Sequence, residues 1–78
     1  MDRVYVIHNE WHDGVNGGAE VVGSRFFASE GEAWLHLKQI ADAHDVGLYE
    51  DDTSFEETFG IDGEQEYYIG ELYNDGQA

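Results

Sequence analysis

The chain of 78 residues contains no cysteine. That excludes a disulfide staple, a thiolate zinc site and a thiol nucleophile, and leaves apolar packing to hold the core. It fits a reducing, intracellular setting. Basic residues are nearly as scarce: 3 Lys and Arg stand against 18 Asp and Glu, a formal charge of −15. Binding to DNA, RNA or anionic lipid needs cations to neutralise phosphate, so direct contact with nucleic acid or membrane is the least expected role. Long apolar runs are missing too. Nothing approaches the roughly 18 apolar residues of a membrane span, and the opening Met1-Asp2-Arg3 has no basic region followed by an apolar run. The expectation is a soluble protein of the cytoplasm, the host's cytoplasm if the source is viral.

Hydrophobic residues make up 41% of the chain and aromatic ones 14%. That is too much for a disordered acidic tail, so the chain should fold. The length makes one domain, 1–78, which buries only about 60% of the surface its unfolded form exposes and has little room for a catalytic cleft.

Val4-Tyr5-Val6-Ile7-His8, rich in β-branched and aromatic residues, reads as a first strand. The stretch Asn9 to Gly18 reads as a turn, with Asp13-Gly14, Asn16-Gly17 and Gly18 supplying positive φ. Ala19 to Phe27 completes a hairpin. Ser29 with Glu32 three residues on forms a capping box for a helix reaching about His44. Ala33, Leu37, Ile40, Ala41 and His44 repeat at spacings of three and four and give that helix its core face, with Trp34 at the edge. Leu35 projects from the opposite side, and Gly47 is the stop signal.

Residues 48–64 read as an acidic excursion anchored by Phe55, Phe59 and Ile61, with a short helical turn over 54–59 capped by Ser54. Glu66 to Tyr73 is a third strand, with Tyr67, Ile69, Glu71 and Tyr73 on one face and Glu66, Tyr68, Gly70 and Leu72 on the other. Residues 1–3 and 74–78 are taken as frayed ends. The fold class is therefore α+β: a three-stranded antiparallel sheet, β-β-α-β in order 2-1-3, with one helix on one face and the excursion before the last strand. Strand one offers Val4 and Val6 to one face and Tyr5 and Ile7 to the other, and one helix covers only one of them. The excursion, a second copy of the chain or a partner must cover the second.

Three segments, Val4-Tyr5-Val6-Ile7, Val22-Gly23 with Phe26-Phe27-Ala28-Ser29-Glu30-Gly31-Glu32-Ala33, and Tyr67-Tyr68-Ile69-Gly70-Glu71-Leu72, together resemble a family of small domains of unknown function common in phages and prophages. Between Gly23 and Phe27 the chain departs from that pattern by an extra residue or two. The resemblance implies the β-β-α-β fold and a viral or mobile-element origin, and it implies no catalytic residue.

Placement of the carboxylates is uneven. Six Asp and Glu precede Lys38, twelve follow it, and no Lys or Arg interrupts those twelve. Like charges this dense oppose a compact state. One explanation is mimicry of nucleic acid, in which carboxylates take phosphate positions on a protein that binds DNA or RNA. Duplex DNA carries a charge per about 1.7 Å of axis, and alternate residues of a strand stand about 6.6 to 6.8 Å apart. On that reading Glu50, Asp51, Asp52, Glu56, Glu57, Asp62, Glu64 and Glu66 meet a basic groove, with Phe55, Tyr67 and Tyr73 as desolvated anchors. The chain would then be a phage or mobile-element accessory protein of the anti-defence type, inhibiting a nucleic-acid-binding host protein. The other explanation is salt adaptation in a halophilic organism or its virus, with the domain acting as a structural module or as a homodimer through the uncovered sheet face.

Other chemistry is weaker. The acidic excursion offers hard oxygen ligands but lacks the spacing and central glycine of an EF-hand loop. His8 and His12, beside Glu10 and Asp13, have a spacing that aligns two rings on a helix, but here it crosses a strand end. The HNH-like letters there lack a ββα-metal frame. No Ser or Thr sits in a strand-to-helix elbow with a base, and Ser29 is committed as a cap. Paired carboxylates without a desolvating cleft do not acquire acid–base pKa values. The expectation is a binding protein without catalytic residues, cofactor or dedicated metal.

Overall fold

The computed structural model describes residues 2–74. Its elements in chain order are β1 (Asp2–His12), β2 (Gly17–Val21), a single 3-10 turn (Val22–Ser24), α1 (Glu30–Ala43), β3 (Ser54–Phe59) and β4 (Gly63–Asn74). The fold is α+β, with one helix against an antiparallel sheet. The sheet has four strands, in the order β2-β1-β4-β3. The expected 2-1-3 arrangement is contained within it, the expected third strand being β4.

The extra strand comes from the acidic excursion, and this corrects the three-stranded reading. Ser54–Phe59 is not a helical turn: Ser54 faces Tyr68, Glu56 faces Glu66 and Phe59 faces Gly63 across a hairpin. Phe55 and Phe59 are four apart, a spacing that puts both on one side of a helix and equally on one side of a strand. Pairing with β4 decides between the two. The segment therefore extends the sheet instead of covering its second face.

β1 is longer than Val4–His8 at both ends. All of it, from Asp2 to His12, pairs with β4, and His8–His12 also pairs with β2. Asp2, Arg3 and Asn74, placed in frayed ends by the sequence, lie in strands; the rest of those ends, residues 1 and 75–78, lie outside the described residues. Asn9 can continue the strand because its amide is satisfied, donating to Gln65 Oε1 and the Glu66 carbonyl, each at 3.3 Å. The turn shrinks to Asp13–Asn16. There Asp13 Oδ1 accepts the backbone N–H of Val15 at 2.9 Å and of Asn16 at 2.6 Å, the Asx-type closure a short acidic side chain provides. Those two bonds, the one from Asn16 first, hold the Asp13 carboxyl below its ordinary range.

The second hairpin arm breaks after Val21. Gly23 at φ 64° and Ser24 at φ 50° turn the chain out, and Phe27 then rejoins β1 by exchanging both backbone bonds with Tyr5. The helix starts as its capping box requires: Ser29 Oγ accepts the Glu32 N–H at 3.2 Å, and Glu32 Oε2 reaches back to the Ala28 N–H at 3.1 Å. It ends before Gly47. Asp45 takes the left-handed position at φ 59°, and the Asp45 and Val46 N–H groups close on the Asp42 and Ala41 carbonyls. This is a Schellman ending with aspartate where glycine is usual.

Ala33, Leu37 and Ala41 bring the buried helix face onto Ile7, Phe27, Leu48 and Phe55, with Tyr67 and Ile69 packed alongside. Trp34 Nε1 donates to the Asp52 carbonyl at 2.9 Å and ties the loop after α1 to the helix. Fourteen residues of helix span about 21 Å, whereas twelve residues of β4 extend about 40 Å. α1 therefore covers part of one sheet face, and the sheet projects beyond it towards the β1–β2 loop and the β3–β4 turn.

Candidate functional site: an acidic row on the helix-free sheet face

Register and pleat decide which carboxylates meet. Glu10 of β1 and Glu56 of β3 both face Glu66 of β4, so three glutamates form one row across three adjacent strands. In the next row towards the sheet end, His12 and Thr58 flank Glu64. Alternation puts all six on the face opposite the helix. Facing Cβ atoms in such pairs stand about 4.5 to 5.5 Å apart, and like charges directly opposite are unfavourable. No strand residue of this face is Lys or Arg. Two imidazoles stand there: His12, which meets Glu64 Oε2 through Nε2 at 3.0 Å, and His8, four residues back along β1 and opposite Tyr68. A depression of about 580 Å³ at this end of the sheet is lined by these six residues, together with Trp11, Gly18, Glu57 and Gln65 of the opposite pleat.

The row grades into an apolar and aromatic area along the same face. His8 stacks on Tyr68 with ring centroids 4.8 Å apart. A Cβ on Gly70 would lie 2.6 Å from His8 Nε2, so the missing side chain is what lets the imidazole lie flat over the strand. Desolvation, and then the negative charge and hydrogen bond of Glu10 and the charge of Glu66, push the Tyr68 hydroxyl above the ordinary tyrosine value. His8 and His12, singled out by sequence spacing, both point to this face but lie in successive parts of one strand with different partners.

The residues assigned to a partner surface from sequence separate into three groups. Glu56, Glu64 and Glu66 come together in the row. Glu50 and Asp51 stand exposed in the loop after α1, and Asp62 in the β3–β4 turn; Asp52 is half-buried, its carboxylate accepting the Tyr49 N–H at 2.9 Å. Of the remaining four, Phe55, Tyr67 and Glu57 need correction as exposed contacts, and Tyr73 does not. Phe55 is 6% exposed and belongs to the core, and Tyr67 stacks on it at 5.0 Å with its hydroxyl pKa raised, chiefly by burial. Glu57 points to the helix side, where it accepts from His44 Nδ1 at 2.5 Å and Gln65 Nε2 at 2.7 Å. Tyr73 is exposed but engaged, its hydroxyl donating to Glu71 and its ring lying under the Arg3 guanidinium at 5.2 Å. Glu10 is the member that sequence reasoning missed. It lay in a stretch read as turn, and only the continuation of β1 to His12 brings it opposite Glu66.

Among the described residues no group of three or more His, Asp or Glu is arranged to hold a metal ion, and no helix is long and apolar enough to cross a membrane. Comparisons with family models, curated proteins and solved structures found no match.

Proposed function

We propose that this chain is a non-enzymatic acidic binding protein that presents Glu10, Glu56, Glu64 and Glu66 to the basic surface of a nucleic-acid-binding protein, in place of phosphate. The observation that carries the reading is the three-strand glutamate row with no Lys or Arg on its face. Evenly spaced carboxylates on a rigid sheet make a fixed negative track, and a cationic groove built for phosphate is the complementary surface. Inhibition of such a protein by occupation of its groove follows, the role of an anti-defence accessory protein of a phage or mobile element, acting in the host cytoplasm. A two-fold homodimer through this face is disfavoured, because it would set the glutamates of one copy against those of the other.

Capture from a host lysate at low salt tests the proposal. The wild-type chain is expected to retain nucleic-acid-binding proteins that duplex DNA displaces, and a variant with all four glutamates changed to glutamine is expected to lose them. Retention of the same proteins by the variant overturns the assignment.

A further inference from the structure

A second surface, away from the glutamate row, has the opposite chemistry. Of the three Lys and Arg, Arg3 faces Glu71 at 3.9 Å and Lys38 pairs with Asp42 at 2.8 Å. Arg25 has no carboxylate within 4.0 Å among the described residues, in a chain with 18 of them. Its guanidinium lies 4.9 Å over the Phe27 ring and borders a groove of about 550 Å³ between the chain after the 3-10 turn and the outer side of α1. Phe26 and Leu35, each 60% exposed, line the same groove. The carboxylate that lines the groove, Glu32, is committed to the capping box.

At the other end of the sheet stands the complement. Ile61 at the β3–β4 turn is 99% exposed and is followed by Asp62. A Cβ on Gly14 would lie 2.9 Å from the Asp62 Cβ, so the β1–β2 loop with Val15, 89% exposed, abuts the same tip. The tip offers an aliphatic side chain beside a carboxylate, and the groove offers an apolar slot beside a guanidinium.

We propose that the groove of one copy receives the tip of a second copy, with Ile61 entering between Phe26 and Leu35 and the Asp62 carboxylate meeting Arg25. A chain cannot fill its own groove. Phe27 pairs with Tyr5 while the tip follows the row of His12 and Glu64, seven residues or about 23 Å further along β1. The two patches differ, so the contact is head-to-tail and adds copies without closing at a dimer unless a ring forms. It is small, and therefore weak. The net charge opposes it at long range, but beyond about 8 Å that repulsion is screened at 0.15 M salt, whereas the groove contact is short-ranged.

Sedimentation equilibrium of the full chain tests this. Weight-average mass is expected to rise with concentration towards about millimolar protein, and to rise more at moderate than at very low salt. Arg25→Asp and Ile61→Ser, both exposed positions, are each expected to abolish the rise, and the exchange R25D with D62R to restore it. The glutamine variant of the acidic row should still associate, and R25D should still capture the basic partner, so the two proposals fail separately. A mass that stays monomeric, or that rises equally in the single variants, overturns the contact.

Discussion

Three rings lie over three glycines, and these pairs set much of the sheet's local geometry. Trp11 covers Gly18, His8 covers Gly70 and Phe59 covers Gly63. They differ in how much each neighbour can yield. A Cβ at Gly63 would come within 2.3 Å of the Phe59 carbonyl oxygen, which is backbone, whereas one at Gly70 meets only the end of a rotatable imidazole. Gly63→Ala is therefore expected to lose about 1 to 3 kcal/mol in denaturant unfolding, and Gly70→Ala less, with displacement of His8 from Tyr68 as its main effect. Asp13 supplies a pH-dependent contribution at the same scale. Its pKa is lowered in the folded chain, so its bonds to Val15 and Asn16 stabilise fully above the unfolded value of 3.8 and are lost as pH falls through the folded value. The stability gap between wild type and Asp13→Ala should be constant near neutral pH and narrow under acid unfolding conditions.

At the scale of elements, the strands carry a conflict that the helix does not. α1 follows local rules: a capping box, a core face at spacings of three and four, and acidic residues Glu30 and Glu32 in its first turn, where the helix dipole favours them. β1, β4 and β3 instead place Glu10, Glu66 and Glu56 side by side. Glu66, in the middle, has a like charge on each side, so Glu66→Gln is expected to raise stability by about 0.2 to 1 kcal/mol in thermal or denaturant unfolding at low salt. A rise of that size would show that the row costs the fold stability, as the proposed binding surface requires. The helix, its cap and the two faces of β4 were legible because a single periodicity governs each. β3 was not. Phe55 and Phe59 satisfy both periods, Ser54 and Glu57 mimic a cap, and only the partner strand separates the readings. Glu10 was hidden for a related reason, since Asn9 reads as a turn residue until Gln65 and Glu66 are seen to satisfy its amide.

The molecule as a whole measures 44 × 29 × 19 Å, elongated because the strands outrun the helix. Its charge is unevenly distributed within that shape. The row and the tip loops concentrate carboxylates at one end, while Arg3, beside Glu71, and Arg25, with no carboxylate within 4.0 Å among the described residues, stand near the start of β1. Total charge alone does not separate a binding surface from salt adaptation; the row, which sets like charges face to face on one side of the sheet, is the feature on which the proposed binding surface rests. Neighbours in the row are closer than the Debye length of about 10 Å at 0.1 M salt, so moderate salt relieves the repulsion only in part. Thermal unfolding in a KCl series is accordingly expected to show a chain already folded in dilute buffer, with a modest rise in Tm. A chain that folds only near molar KCl would favour salt adaptation.

The most direct measurement is the salt dependence of affinity for a captured nucleic-acid-binding protein, compared between wild type and the glutamine variant of Glu10, Glu56, Glu64 and Glu66. Binding through the row predicts an affinity that falls steeply as ionic strength rises, with both the affinity and its salt dependence much reduced in the variant. Affinity that stays the same between low and high salt, or a variant that binds with the wild-type salt dependence, would contradict the account.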